Sequence, residues 1–126
     1  MANPMYGQNK NDDFQNKLFI VVNGEVLSAA NQLYVYIPFK CTIKEVNYAV
    51  TTELATAKST ITMKTAAGTM TGTFEIAHEA VVGTTGTFTP VDNNTVEAGA
   101  TLEIENDAAP TAGQACWTIV CDKVID

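Results

Sequence analysis

Apolar and polar residues alternate with a period of two over Ile37–Thr52, and this stretch predicts the strand around which the rest of the chain is organised. Val46 and Val50 fall on one face of an extended strand, with polar residues on the other. Ile43 is out of phase with Val46, so we predict a one-residue bulge at Lys44–Glu45 that bends the strand. A long, bent, half-apolar strand is typical of the centre of a β-sandwich.

The same alternation predicts shorter strands on both sides of this one. Asn23-Gly24 is a strong turn signal and predicts a β-hairpin between Lys17–Val22 and Glu25–Leu27. The pattern at Glu79–Val82 leaves a short strand and a turn of helix as alternatives. The last strand is apolar on both faces, so we expect it to lie in the interior of its sheet or under a neighbouring subunit. Further strands are predicted at Leu33–Ile37, Ser59–Lys64, Met70–Ile76, Thr87–Thr89, Ala100–Glu105 and Ala115–Ile125.

These elements predict an all-β fold, an antiparallel β-sandwich of jelly-roll type over residues 17–126. Residues 1–16 are polar, rich in asparagine and glutamine, and have no core of their own, so they predict a flexible, extended N-terminal arm. Two interpretations of the arm stay open. It is either a frayed terminus or a segment that docks on a neighbouring subunit, with Met5, Tyr6 and Phe14 as its apolar anchors.

Charge restricts the classes of partner. The formal net charge is −7 and the chain contains no arginine, the residue preferred for bidentate phosphate and guanine contacts. We therefore expect neither nucleic acid nor an anionic membrane surface as a partner. The first residues lack the apolar core of a secretory signal, so we expect synthesis in a reducing cytoplasm.

The three cysteines are not spaced as a zinc site. Cys116 and Cys121 have opposite parity on one predicted strand, so they point to opposite faces and cannot easily pair. We expect buried free thiols, and a Cys41–Cys121 or Cys41–Cys116 bridge stays open as an alternative.

Candidate catalytic and metal-binding groups are sparse. The chain contains no G-x-S-x-G, H-E-x-x-H, phosphate loop or Cys-x-x-C motif, so we expect neither an enzyme nor a cofactor. The single histidine, His78, has no second ligand nearby in the sequence and is interpreted as a structural or solvent-facing residue. Four acids lack the intervals of a calcium loop and are interpreted as a solvated strand face: Asp92, Glu103, Glu105 and Asp107.

Tyrosines on one face of a strand suggest an additional function. Tyr34 and Tyr36 lie opposite the apolar face of their predicted strand, where packing with a hydrogen-bonded tip is the usual role. The alternative is a stacking platform for sugars, with Tyr34, Tyr36 or Trp117 as the ring.

The order of these pieces resembles that of small β-sandwich virion proteins of tailed bacteriophages. The matching stretches are IPFKCTIKEVNYAV, the hairpin STITMKTAAGTMTGTFEI, NTVEAGATLEIEND with its glycine turn, and TAGQACWTIVCDKVI. The similarity covers about Leu33 to Ile125.

This resemblance implies a capsid decoration or cement protein that is located in the virion, on the outer surface of the head. The implied partners are the major capsid protein and further copies of the chain, with a homotrimer expected because it would cover strand edges. The alternative function is a carbohydrate-binding or receptor-recognition module on the virion, as a head fibre or tail accessory protein.

Overall fold

The computed structural model describes residues 17–29, 32–71 and 74–124, and this part of the chain is built from β-strands and the turns between them. The bounds of the strands are β1 Lys17–Val26, β2 Gln32–Tyr36, β3 Cys41–Ala55, β4 Ser59–Thr65, β5 Gly68–Thr69, β6 Phe74–Ile76, β7 Thr85–Phe88, β8 Thr95–Val96, β9 Thr101–Asn106 and β10 Ala112–Lys123.

Two antiparallel sheets form the sandwich. Sheet I has the order β1-β10-β3-β7, with β8 also on β3, and sheet II has the order β2-β9-β4-β5, with β6 also on β4. In sheet I, β10 occupies one edge of β3, so the short strands β7 and β8 follow one another along its other edge. In sheet II, β9 occupies one edge of β4, and β5 and β6 follow one another along the other edge. Each of these two pairs acts as one interrupted strand. The chain thus fills four strand positions in each sheet and alternates between sheets as a jelly roll does, which confirms the predicted fold class.

The central strand is β3, and its predicted bulge is confirmed. Cys121 pairs with Ile43 and Val120 pairs with Glu45, so Lys44 is an extra residue in β3. Ile43 and Val46 are therefore both fully buried although their spacing is odd. The closing strand β10 lies between β1 and β3, as its apolar character on both faces predicted.

The predicted hairpin at Asn23-Gly24 is wrong. β1 runs through both residues without reversing, and it pairs with β10 before and after them. Val22 pairs with Trp117 and Glu25 pairs with Ala115, so two residues of β1 lie opposite one residue of β10. Asn-Gly is accommodated as a bulge because β10 is long enough to pair with both halves of β1.

The remaining predictions concern the second hairpin, the Glu79–Val82 segment and the N-terminal arm. The hairpin of Ser59–Lys64 with Met70–Ile76 is confirmed in β4, although its second strand is interrupted as β5 and β6. Glu79–Val82 is neither strand nor helix but part of a turn-rich connection. The predicted arm, residues 1–16 with Met5, Tyr6 and Phe14, lies outside the described residues.

Aromatic rings join the two sheets in the core. Trp117 is fully buried, and the ring of Phe74 from sheet II packs edge-to-face against it at 5.7 Å between centroids. Phe74 also stacks on Phe88 at 5.0 Å and on Tyr48 at 6.0 Å. Such contacts add about 1 kcal/mol each beyond the apolar area that they bury.

A buried carboxylate lies in this core beside the tryptophan. The Trp117 indole Nε1 donates a hydrogen bond of 2.6 Å to Glu25 Oε2, and Glu25 is only 4% exposed. Among the described residues, Glu25 Oε1 has no hydrogen-bond partner. Burial raises the pKa of Glu25 from 4.5 to about 7, although hydrogen bonds from Trp117 and Asn106 oppose this shift.

Replacement of Glu25 by glutamine tests this buried acid. The folded chain holds the Glu25 proton more tightly than the unfolded chain, so the contribution of Glu25 to stability is greatest below pH 4.5 and is lost as the pH rises through about 7. Glu25→Gln cannot titrate, so its free energy of unfolding, relative to that of the unmodified chain, should rise by about 3 kcal/mol between pH 4.5 and pH 8. Urea unfolding across this range, followed by fluorescence of the single tryptophan, measures the difference. If the difference in free energy of unfolding between the two proteins does not change with pH, the burial of Glu25 is contradicted.

Candidate interaction surfaces

The outer face of sheet II carries the two tyrosines that the sequence singled out. Tyr34 and Tyr36 on β2 are 58% and 65% exposed, while the intervening Val35 is buried. The register places Glu103 of β9 beside Tyr34 and Lys64 of β4 beside Glu103, which forms a row across three strands. We call this surface the tyrosine face; it comprises Gln32, Tyr34, Tyr36, Lys64, Thr101, Glu103 and Glu105.

Polar contacts hold the tyrosine face in place. The Tyr34 hydroxyl donates to Gln32 Oε1 at 3.2 Å, and Gln32 Nε2 donates to Glu105 Oε2 at 2.9 Å. Lys64 Nζ lies 3.8 Å from Oε2 of both Glu103 and Glu105. Glu103, through hydrogen bonding and its negative charge, raises the pKa of Tyr34.

A surface depression of about 430 Å³ opens beside this row. Its walls are two connections, one at Thr65–Ala66 and one at Gly99–Ala100. Backbone hydrogen bonds from Ile37 N to Ala100 O and from Gly99 N to Ile37 O, of 2.9 and 2.8 Å, fix the second wall to the end of β2. The depression therefore has a defined shape next to the exposed ring of Tyr34.

The outer face of sheet I has a different character. The residues around the middle of β10 are uncharged on this face, and Val21 of β1 is 62% exposed. Glu45 of β3 lies at their margin, where its Oε1 accepts a hydrogen bond of 3.4 Å from Asn47 Nδ2. Thr87 Oγ1 donates to Asn47 Oδ1 at 2.6 Å, so neighbouring strands satisfy one another's polar groups on this face. We call this surface the uncharged face; it comprises Val21, Asn47, Ala49, Thr85, Thr87, Cys116 and Thr118.

One edge of sheet I is long. β1 has 10 residues and forms the sheet edge next to the uncharged face, whereas the edge strands β2 and β7 have 5 and 4. Within the described residues, no strand pairs with the free side of β1. Short edges protect a sheet from edge-to-edge association, and a long apolar edge promotes it.

His78 lies at a solvated corner. It lines a depression of about 450 Å³ together with Glu53, Thr56 and Glu79. The His78 side chain is half exposed, and its Nε2 lies 4.0 Å from Glu79 Oε1. Thr56 Oγ1 donates to the Ala55 carbonyl at 2.6 Å, so this hydroxyl is already engaged in a hydrogen bond.

The four acids considered for calcium are dispersed. Glu103 and Glu105 both contact Lys64, and Asp107 Oδ1 accepts a hydrogen bond of 3.2 Å from the Ala109 amide. Among the described residues, no three His, Cys, Asp or Glu side chains form a group that could hold a metal ion. No helix in this part of the chain has the length and apolarity of a membrane span.

The three cysteines are free thiols, as expected. Cys41 and Cys121 are buried side by side in the core, and Cys116 lies on the opposite, outward face of β10. Hydrogen bonding to Cys41 and burial raise the pKa of Cys121 well above its usual range. This placement on opposite faces excludes the Cys41–Cys116 bridge that the sequence left open.

The structure separates the three rings considered for sugar binding. Tyr34 and Tyr36 are exposed on one face, but Trp117 has no exposed surface, so its interpretation as a stacking platform is wrong. Trp117 points inward because the face of β10 that carries it packs against sheet II. The Glu25–Trp117 hydrogen bond was not predicted, because it joins residues 92 positions apart and leaves no local signal in the sequence.

Comparisons with known proteins identify no family. No family model matches this chain, and no curated protein matches it. Among solved structures, dimeric latent PorU from Porphyromonas gingivalis aligns at 11% identity and a TM-score of 0.49, over 86% of this chain and 13% of the PorU chain. This chain thus spans a small part of the PorU length.

Two further structures align more weakly. A chain from Bacillus endospore appendages, described as disulfide-linked pili, aligns at 18% identity and a TM-score of 0.33, over 86% of this chain and 91% of its own. A chain of infectious bursal disease virus, Gx strain, aligns at 12% identity and a TM-score of 0.31, over 85% of this chain and 32% of its own. These scores and identities are too low to assign a function.

Proposed function

We propose that this chain is a structural virion protein, a capsid decoration or cement protein of a tailed bacteriophage. In this proposal it binds the major capsid protein on the outer surface of the head and stabilises the shell through self-association, with a homotrimer as the expected assembly. The proposal rests on the resemblance of the sequence to phage virion proteins and on the surface of sheet I.

The observation that carries the proposal is the long edge strand β1 beside the uncharged face. Val21 is exposed on this strand, and the neighbouring outward residues Thr118 and Cys116 carry no charge. The cores of protein interfaces are depleted in charge, and this surface shares that property. A second copy that covers it would remove an unprotected sheet edge from solvent.

The fold is compatible with this role. Jelly rolls occur in viral capsid proteins, and also in lectins and cupins, so the architecture alone does not select a function. The alternating strands give a closed core with rigid outer faces, which is what a shell-stabilising protein requires. Ordering an N-terminal arm on the capsid would cost free energy, and many copies on one shell can offset this cost through avidity.

A charge on the uncharged face tests self-association. Val21→Lys places an ammonium where a second copy would pack, and we expect it to weaken association about 100-fold, since an unpaired buried charge costs several kcal/mol. Light scattering should show a multiple of the 13.5 kDa chain mass for the unmodified protein and a single chain for the variant.

Val91→Lys is the matched control for this experiment. Val91 is 75% exposed and lies in the connection between β7 and β8, at the opposite edge of sheet I. The control should keep the mass of the unmodified protein. A monomeric unmodified protein at high micromolar concentration, or equal effects of the two variants, would contradict the proposed interface.

Removal of residues 1–16 tests the capsid-binding arm. We expect the truncated chain to keep its thermal stability and to lose binding to capsids in a co-sedimentation assay. The triple variant Met5→Ala, Tyr6→Ala, Phe14→Ala should reproduce this loss because it removes the apolar anchors. Replacement of Asn9 and Asn11 by alanine is the control and should leave binding intact. Undiminished capsid binding by the truncated chain would contradict the proposed role of residues 1–16 in binding.

A further inference from the structure

We infer that the tyrosine face is a binding site for neutral oligosaccharides, which goes beyond the proposed role in the shell. Tyr34 and Tyr36 alternate along one strand, so both side chains project from the same face, and their Cα atoms lie about 6.6 Å apart. Two adjacent rings therefore offer stacking surfaces to successive units of a saccharide chain.

Both rings are exposed within the part of the chain that the structure describes. Both tyrosines are more than half exposed, whereas the aromatic rings of Phe74, Phe88 and Trp117 pack in the core. The Tyr34 hydroxyl donates a hydrogen bond to Gln32, which limits the motion of the Tyr34 ring. A ring that is fixed before binding loses little conformational entropy when a ligand stacks on it.

The polar neighbours of Tyr34 suit hydroxyl groups. Glu103 is next to it in the register and supplies carboxylate acceptors, and Lys64 supplies N–H donors at the far side of the row. Sugars present C–H faces to aromatic rings and hydroxyl groups to polar side chains, so a ligand of this class uses both parts of the surface. The depression beside Tyr34 gives room for a substituent on the stacked unit.

The charges of this surface select a neutral ligand. Two carboxylates, Glu103 and Glu105, surround the single ammonium of Lys64 at 3.8 Å. This balance is negative and would repel phosphates, sulfates and acidic sugars. A protein partner is less well suited, because the centre of a protein interface is depleted in charged residues and here the charges lie directly beside the ring.

Binding of the full chain to an array of neutral and acidic oligosaccharides is the primary test. We expect binding to neutral chains ending in galactose, glucose, mannose or N-acetylglucosamine, and none to sialylated or sulfated chains. Absence of binding to every neutral chain, or binding to acidic chains alone, would overturn the proposal.

Variants locate the site with the best-bound oligosaccharide as the probe. Tyr34→Ala and Tyr36→Ala should each weaken binding about tenfold through loss of stacking and contact area, and Tyr34→Phe should restore most of it. Phe39→Ala is the matched control, because Phe39 is 44% exposed but packs against Lys123 and lines no part of the depression. Equal effects of Tyr34→Ala and Phe39→Ala on glycan binding would overturn the assignment. It would also be overturned if the tyrosine face bound a protein partner through Tyr34 and bound no glycan.

This test is independent of the role in the shell. Glycan binding is measured on the chain without capsids, and the Val21→Lys variant alters the opposite sheet. Loss of glycan binding with intact capsid binding would overturn only the glycan site. Glycan binding by a chain that fails to bind capsids would support the site and contradict the proposed function.

Discussion

The pairing of β10 with its two neighbours is the constraint on which the structure depends. β10 forms antiparallel ladders with β3 along almost its whole length and with β1 on its other side. Both ladders contain bulges that change which side chains face the core: the bulge in β3 keeps Ile43 and Val46 both inward, and the bulge in β1 turns Glu25 inward. Trp117, in the middle of β10, meets the ring of Phe74 from sheet II and so fixes the spacing of the two layers.

This arrangement gives the two outer surfaces their contrasting chemistry. Sheet I directs threonine, asparagine, alanine and cysteine outward around its central strands and ends at the long apolar edge of β1. Sheet II directs tyrosines and ion-paired side chains outward, including Lys58 and Glu75 at 2.6 Å. In the two proposals, the molecule associates through sheet I while sheet II stays available to a ligand.

The sequence predicted much of the fold because alternation is a local signal. The bulge at Lys44–Glu45 was predictable from the phase of Ile43 and Val46 alone. Asn23-Gly24 predicted a turn wrongly because its turn propensity is local, whereas the pairing that overrides it comes from a strand more than 90 residues later. The pairing register between strands that are distant in sequence decides whether Asn-Gly forms a turn or a bulge, and the local pattern does not reveal that register.

The candidate surfaces were predictable to a lesser degree. Alternation with Val35 and Ile37 placed Tyr34 and Tyr36 on an outward face, as the structure has them. The orientation of Trp117 was not predictable, because both faces of its strand are largely apolar. The row from Tyr34 through Glu103 to Lys64 was also hidden, since it joins three strands whose order follows only from the topology.

Amide hydrogen exchange of the full chain tests the central role of β10 most directly. Amides of β10 and of the facing part of β3 are paired in the middle of a sheet, so they should exchange last, and only through global unfolding. Amides of the edge strands β2 and β7 should exchange earlier through local opening. Exchange of the β10 amides as fast as those of β2 would contradict the account.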